Sequence, residues 1–297
     1  MSCPICGNES YWQIPFLPDA NAERLRAQRA DSRAYEWRLC RRCGNGYPSH
    51  PPNRAVLQKL WALNRSDEDA APEEKAKRWS YRRAIAEAGA QRAYRLFAPL
   101  AGKTTGRFLD IGCGLGETVR IFAEHGWDAE GIDADPSTAP AHREIGIKAR
   151  IGQFEELPIE GRYDIVHIAH AIYFITEPMR FLAFVREGLA DDGLFCVVLA
   201  DFMANSDPAL GGYVHSFFPT AQSMRYALAL ARFETVMSKS LSGSIYMAAR
   251  PRRTVATPAV SPTAIRLLYA TKTARYHLLG QPYLALRQLA KRLFGRS

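Results

Sequence analysis

The sequence lacks any apolar run long enough to cross a bilayer, and residues 1–10 do not have the basic-then-apolar pattern of a secretion signal. It contains six cysteines in 297 residues. These features favour a cytoplasmic, reducing compartment, in which cysteines are expected to be thiols or metal ligands. A chain of this length can bury one full α/β core and a small additional unit.

Acidic residues are absent from residue 251 onward, and the charge is uneven along the chain. Residues 251–297 carry nine Lys and Arg and no Asp or Glu, whereas residues 1–100 have a balance of +6 and residues 101–250 a balance of −6. Basic flanks are typical of proteins with anionic partners, such as RNA or a phospholipid surface. A solvated charged face gives the same composition, so both interpretations stay open.

Four of the cysteines lie in two CxxCG motifs near the N-terminus. Cys3 and Cys6 form the first pair, Cys40 and Cys43 form the second, and 33 residues separate the pairs. Each motif brings two sulfurs close enough to share one ion, and four thiolates suit tetrahedral zinc. Because four thiolates leave no open coordination position, we predict a structural zinc site. Two unrelated pairs, or disulfides, are the alternatives.

A glycine-rich turn follows a short apolar run in the middle of the chain. Residues 107–116 read RFLDIGCGLG, with an acid, Asp110, inside the run and with Gly112, Gly114 and Gly116 at every second position. A strand that breaks into alternating glycines before a helix lets the backbone approach a bound nucleotide closely. Nicotinamide and flavin sites share such turns, so the turn alone does not identify the ligand.

Two carboxylates narrow the choice of ligand. Asp110, at the mouth of the turn, would repel a pyrophosphate and attract a ligand that carries an ammonium and a sulfonium. Asp133 closes the next predicted strand, 21 residues beyond Gly112, which suits a carboxylate that binds both ribose hydroxyls. The spacing G-x-G-x-G also differs from the dinucleotide pattern G-x-G-x-x-G. A cationic sulfur nucleoside therefore fits these residues better than a dinucleotide.

The segments DIGCGLG and GID resemble the class I S-adenosylmethionine-dependent methyltransferases. The resemblance is collinear and covers about half of the chain, through IGQFEELP and RYDIVHIAH to SIYMAAR at residues 244–250. It implies an α/β fold with a Rossmann-like, doubly wound, mostly parallel seven-stranded sheet, which binds S-adenosyl-L-methionine at the carboxyl ends of its strands. A zinc ribbon precedes this fold and a helical tail follows it.

The resemblance also implies which residues contact the cofactor. Gln153 lies in the adenine-binding segment in place of a common aspartate, and its amide can still bind the exocyclic amine. The residues predicted to bind the cofactor are Asp110, Gly112, Gly114, Gly116, Asp133, Gln153, Phe154 and His170.

Two histidines are candidates for catalysis. His170 directly follows the fourth predicted strand, at the expected methyl-transfer centre, and His215 lies in the segment expected to cover the acceptor. A histidine suits a general base because its unperturbed pKa lies near neutrality. Many relatives carry Glu-His a few residues further on, where this chain has Tyr173 and Phe174. A structural role is the alternative for each, and Asp201 is a further acceptor-side candidate. No role is assigned to His50, His125, His142, His167 and His277.

Helical and strand patterns divide the chain into four predicted segments: a zinc ribbon at 1–52, a helix and linker at 53–72, the methyltransferase domain at 73–250 and a basic helical tail at 251–297. Helices are predicted at 20–30, 54–63, 73–100, 117–126, 178–189, 262–279 and 282–294, with another beginning at Pro136, and strands at 129–132, 147–150, 165–169 and 194–199. The last helix is basic and amphipathic, and it is interpreted as packing on the protein, lying on a membrane surface or gripping RNA.

The sequence thus predicts an enzyme that transfers a methyl group in line to a small-molecule, glycan or lipid-linked acceptor. Its tail is a candidate for peripheral contact with the inner face of the membrane. An RNA methyltransferase that uses the ribbon and tail to bind RNA is one alternative, and a non-enzymatic cofactor-binding scaffold is another.

Overall fold

A computed structural model describes residues 1–14, 36–50, 72–154, 156–157, 161–201 and 215–280, together with Pro282 and Leu286. The helices predicted at 20–30 and 54–63, and almost all of the one predicted at 282–294, lie outside the described residues. None of the helices in the described ranges has both the length and the apolar character needed to cross a membrane.

The main sheet has seven strands: β4 (Arg107–Ile111), β5 (Asp128–Asp133), β6 (Lys148–Ile151), β7 (Tyr163–Ala169), β8 (Leu189–Ala200), β9 (Phe233–Leu241) and β10 (Ser244–Pro251). They lie in the order β6-β5-β4-β7-β8-β10-β9. Pairing is parallel from β6 to β8 and antiparallel where β10 lies between β8 and β9. The prediction of a doubly wound, mostly parallel seven-stranded sheet is confirmed. The order reverses between β4 and β7, which is where ligands bind in open α/β sheets.

A small antiparallel sheet precedes the main sheet, in the order β1-β2-β3. Its strands are β1 (Tyr11–Ile14), β2 (Trp37–Cys40) and β3 (Gly46–Pro48). We call residues 1–14 and 36–50, which carry this sheet and the four N-terminal cysteines, the ribbon. The α-helices within the described ranges are α1 (Pro72–Phe97), α2 (Glu117–Glu124), α3 (Ala139–Glu144), α4 (Pro178–Gly188), α5 (Ala221–Leu230) and α6 (Pro262–Arg275), which continues as a π-helical turn, Tyr276–Gly280.

Most predicted boundaries shift by a few residues, and two elements differ more clearly from the prediction. The helix expected from Pro136 is a 3₁₀ turn followed by α3, because Pro140 at the second position of α3 has no N–H to continue a single helix. The fifth parallel strand begins at Leu189 rather than at residue 194, and its pairing with β7 shifts register before it becomes regular at Leu194.

The two faces of the main sheet bury separate apolar clusters. One face packs beneath α1 and α2 through Phe97, Phe108 and Phe122, all 0% exposed. The cluster on the other face extends without a break into the ribbon and α6, where it includes Trp37 and Tyr269. The ribbon therefore shares a core with the sheet.

Candidate active site

The turn after β4 is shaped by its glycines. Gly112, Gly114 and Gly116 have φ of +73°, +58° and +85°, a region that side chains other than glycine rarely adopt. A Cβ on Gly112 would lie 2.6 Å from Cβ of Ala171, and one on Gly116 would overlap Cδ1 of Ile147. The backbone thus turns in a space that leaves no room for side chains at these two positions.

Asp133 connects the end of β5 to this turn. Its carboxylate accepts the backbone N–H of Gly114 at 2.6 Å through Oδ2 and that of Asp135 at 2.9 Å through Oδ1. The Gly112 N–H donates to the carbonyl of Ile132 at 2.7 Å, which draws the turn against the end of β5. The buried Asp133 carboxylate is thereby held next to the backbone of the glycine turn, where Gly112 and Gly114 have no side chains.

Asp110 pairs with a histidine on the neighbouring strand. Asp110 and His167 are directly opposite in the β4–β7 register, and Nδ1 of His167 lies 2.7 Å from Oδ1 of Asp110. Both residues are buried, and Nε2 of His167 has no hydrogen-bond partner among the described residues. Because an ionised carboxylate only accepts, Nδ1 carries the proton and Nε2 has a free lone pair when the ring is neutral.

The sequence pattern assigns no role to His167. The missed signal is two polar residues at the centres of adjacent apolar strands, and the strand register that brings them together is not encoded locally.

A cavity of about 760 Å³ lies above the strand ends, between the main sheet and α1. Seven of the eight predicted cofactor residues line it: Asp110, Gly112, Gly114, Asp133, Gln153, Phe154 and His170. Gly116 does not line the cavity and instead precedes the first residue of α2.

His170 lies at the rim of this cavity. Its backbone has φ of +52°, its N–H donates to the Val198 carbonyl at 3.0 Å, and its Nε2 lies 3.4 Å from Oγ of Ser244. The side chain is open to the cavity, whose walls displace enough water to lower its pKa below the ordinary 6.5, and His167 lowers it further. The neutral imidazole at pH 7 can accept a proton at this rim.

His215 is not among the described residues that line the cavity, but its ring packs against Phe174, which is. Its ring centroid is 5.5 Å from that of Phe174, which lines the cavity, and 5.1 Å from that of Tyr173. Burial lowers the pKa of His215 to about 4, so the ring is neutral at pH 7. Asp201 is also outside the lining, at the β9–β10 hairpin, where it accepts a hydrogen bond from the Ser240 hydroxyl.

Helix α1 covers the cavity and is held there by ion pairs. Glu117 on α2, 3% exposed, binds Arg83 of α1 at 2.9 Å and Arg120 at 2.7 Å, and Arg83 also reaches Glu144 of α3 at 2.7 Å. The sequence predicted this helix. It did not predict that residues within 85–93 line the cavity.

A family model described as a methyltransferase domain matches residues 78–236, more than half of the chain. The matched span includes the glycine turn, Asp133 and His170. The chain belongs to this methyltransferase-domain family.

Several solved methyltransferase structures are similar to this chain at low sequence identity. The Burkholderia thailandensis 1,6-didemethyltoxoflavin-N1-methyltransferase, solved with 1,6-didemethyltoxoflavin and S-adenosylhomocysteine, is 19% identical with a TM-score of 0.51, over 75% of this chain and 97% of that one. A possible histamine N-methyltransferase from Thermotoga maritima is 18% identical with a TM-score of 0.46, over 61% and 96% of the two chains. The glycopeptide N-methyltransferase MtfA is 18% identical with a TM-score of 0.46, over 55% and 90%. A comparison with curated proteins finds no sequence match.

The ribbon of the methyltransferase brings the two CxxCG motifs together. The Sγ atoms of Cys3, Cys6, Cys40 and Cys43 all lie within 4.8 Å of one another, and the Cys3–Cys43 and Cys6–Cys40 distances are 3.5 and 3.6 Å. These distances exceed a disulfide bond of about 2.05 Å. Four sulfurs in this arrangement are a candidate metal site.

Proposed function

We propose that the chain is an S-adenosyl-L-methionine-dependent methyltransferase that acts by in-line transfer on a small-molecule, glycan or lipid-linked acceptor. The observation that carries the proposal is the cavity in which two buried carboxylates, Asp110 and Asp133, adjoin the bare backbone of Gly112 and Gly114. The Burkholderia thailandensis enzyme, which shares the fold, was solved with the demethylated form of this cofactor.

The residues present fit the cofactor chemically. Two buried acids in the cavity wall attract a positively charged nucleoside and disfavour a pyrophosphate. The missing Cβ at Gly112 leaves the backbone accessible where a side chain would meet Ala171. An apolar wall at Phe154, beside the amide of Gln153, suits a purine ring with an exocyclic amine.

Each residue then has a defined role. Asp110 holds the cationic amino-acid portion, Asp133 takes the ribose hydroxyls, and Gln153 with Phe154 takes the adenine. The bound cofactor would supply a methyl group already activated on a sulfonium, so the protein mainly aligns the reactants and excludes water. His170 Nε2 takes the proton of an acceptor that must lose one.

Calorimetric titration with S-adenosylhomocysteine tests this assignment. We expect the wild type to bind it and Asp133→Asn to bind at least about tenfold more weakly, because a charged hydrogen bond is worth roughly 1.5–3 kcal/mol. Asp128→Asn is the matched control, since Asp128 begins the same strand but is 57% exposed and outside the cavity. Absence of binding to the folded wild type would exclude the proposed function.

We further propose that the four thiolates bind a structural zinc ion. The cluster of four cysteines supports this, together with the tight turns at Gly7 and Gly44, whose φ values are +69° and +66°. Elemental analysis should find one zinc per chain in the wild type and none in Cys3→Ser or Cys40→Ser. A folded wild type without metal would contradict the assignment.

We also propose a cytoplasmic location, domain boundaries at residues 52, 72 and 250, and peripheral contact of the tail with a membrane. We also propose a catalytic role for His170. For His215 a structural role is favoured, since its ring packs against Tyr173 and Phe174 and is not part of the described cavity lining.

A further inference from the structure

The cavity is wider than the part assigned to the cofactor. Apart from His170, which follows β7, the predicted cofactor residues that line the cavity lie on the β4–β5–β6 half of the sheet. The cavity continues over β7, β8 and β10. There Ala169, Val198 and Tyr246 lie side by side in register and form a second floor. We call the space above these three residues the distal half.

The distal half exists because α1 presents small residues to the sheet. Gly89, Ala90 and Ala93 line the cavity from above. A Cβ built on Gly89 would meet no atom within 4 Å, so the space at this position is open. Floor and roof are therefore apolar, which suits a flat, mostly apolar ligand and gives few partners to the hydroxyls of a sugar.

The charges that line the cavity are divided between its two halves. The acids are Asp110, Glu117, Asp133 and Asp135, all on the cofactor side, and Glu117 is neutralised by two arginines. Arg92 of α1 is the one Lys or Arg in the described lining, and within the described ranges no carboxylate lies within ion-pair distance of it. Its guanidinium donates to the Tyr246 hydroxyl at 3.3 Å.

Resting on the proposed function, we propose that the distal half is the acceptor site and that it takes an uncharged or anionic, largely apolar small molecule. Arg92 and Tyr246 bind an oxygen-bearing group of this molecule. The positive charge of Arg92 disfavours cationic amines, because like charges at this short range repel each other.

Three probes with one ring and different charge test the proposal: 4-hydroxybenzoate, 4-hydroxybenzamide and 4-hydroxybenzylamine. Their binding to the protein saturated with S-adenosylhomocysteine is measured by ligand-observed NMR at millimolar concentration. We expect the benzoate and the benzamide to bind at least about fivefold more tightly than the amine. Arg92→Gln should remove the advantage of the benzoate.

Two further variants distinguish binding in the distal half from effects elsewhere on the protein. Arg95→Gln changes an exposed arginine of the same helix outside the cavity and should leave the order of the probes unchanged. Gly89→Leu should fill the distal half and abolish probe binding, while S-adenosylhomocysteine still binds.

The proposal is overturned if the amine binds as tightly as the benzoate, if none of the probes binds, or if Gly89→Leu still binds them. The S-adenosylhomocysteine titration is a separate measurement. Its failure would count against the methyltransferase assignment, whereas a normal titration with the wrong probe order would count only against the acceptor class.

Discussion

At the scale of single residues, the pair formed by Asp110 and His167 is the feature that most constrains the site. Both side chains are almost fully buried, at 4% and 1% exposure, and they are joined by a 2.7 Å contact. A buried carboxylate is tolerated only with a partner, so the imidazole of His167 fixes the position of the Asp110 carboxylate at the cavity.

We expect His167→Leu to lower the free energy of unfolding by roughly 3–5 kcal/mol, because it leaves the Asp110 carboxylate buried without a partner. Adding Asp110→Asn to this variant should recover part of the loss, since the amide carries no charge. Urea unfolding of both single variants and the double variant measures the coupling. Strictly additive losses would show that the two side chains do not stabilise each other.

The second residue-scale prediction concerns pH. The folded pKa of His215 is about 4, below the ordinary 6.5, so the unfolded chain binds more protons between these values. The contribution of His215 to the free energy of unfolding is complete above pH 6.5. It is lost as the pH falls toward 4, by roughly 1–3 kcal/mol. His215→Phe keeps an aromatic ring beside Tyr173 and Phe218, so its unfolding free energy should fall less steeply over this window. Urea unfolding at several pH values measures this, and an equal pH dependence of the unfolding free energy in the two proteins would contradict the prediction.

At the scale of elements, the glycine turn between β4 and α2 combines an unusual backbone with a close approach. Two glycines in the chain allow these effects to be separated. Gly112 has φ of +73° and a blocked Cβ position, whereas Gly146 has φ of +69° and no atom within 4 Å of its Cβ position.

Alanine at each position provides the test. Gly146→Ala should lower the free energy of unfolding by about 1–2 kcal/mol through backbone strain alone and leave S-adenosylhomocysteine binding unchanged. Gly112→Ala should destabilise more and weaken binding at least about tenfold, since its Cβ displaces the turn from Ala171. Equal effects of the two variants on calorimetric binding would show that the turn does not form the site.

Helix α6 packs on the ribbon rather than extending into solvent, so its buried residues should contribute to the stability of the fold. Ile265 and Tyr269 are 1% exposed, and a Cβ on Gly44 of the ribbon would overlap Cδ1 of Ile265. Arg266 on the same helix lies over the ring of Trp12, 5.1 Å from its centroid. The tail thus begins as part of the fold.

Tyr269→Ala should lower the free energy of unfolding by about 3–5 kcal/mol, the usual cost of removing a buried aromatic side chain. Leu267→Ala is the control on the same helix, since Leu267 is 66% exposed and its change should stay within about 0.5 kcal/mol. Thermal unfolding of both variants measures the difference. A Tyr269→Ala protein as stable as the control would mean that α6 does not dock in solution.

At the scale of the whole molecule, the ribbon, main sheet and α6 share one apolar cluster. The link is direct at Gly46 and Phe218, which exchange backbone hydrogen bonds of 3.2 and 2.7 Å. Phe218 in turn stacks on Tyr173, with ring centroids 5.0 Å apart. Stability of the ribbon is therefore coupled to the segment that packs beside the cavity.

Removing the proposed zinc should lower the thermal midpoint of the whole chain in a single transition, because anything bound only to the folded state stabilises all that unfolds with it. A loss of about 2 kcal/mol corresponds to a shift of roughly 4–8 °C for a domain of this size. Calorimetry with and without a strong chelator, followed by re-addition of zinc, measures it. Two separate transitions would show that the ribbon unfolds alone.

The sequence by itself determined the methyltransferase fold and the location of the cavity. Glycine spacing, apolar periodicity and the acids at the ends of β4 and β5 depend on residues close in the chain, and parallel strands bring their carboxyl ends to one edge. The cofactor residues could therefore be predicted from the motifs, although their roles stay predictions.

Only the tertiary structure decided which distant residues meet. His167 reaches Asp110 because β4 and β7 pair in one register, and His215 packs against Tyr173 without joining the described cavity lining. The distal half depends on where α1 crosses the sheet, and both the apolar packing of Phe97 and the Arg83–Glu117 ion pair hold α1 there. Such contacts arise from the packing of whole elements, and no local pattern of residues encodes that packing.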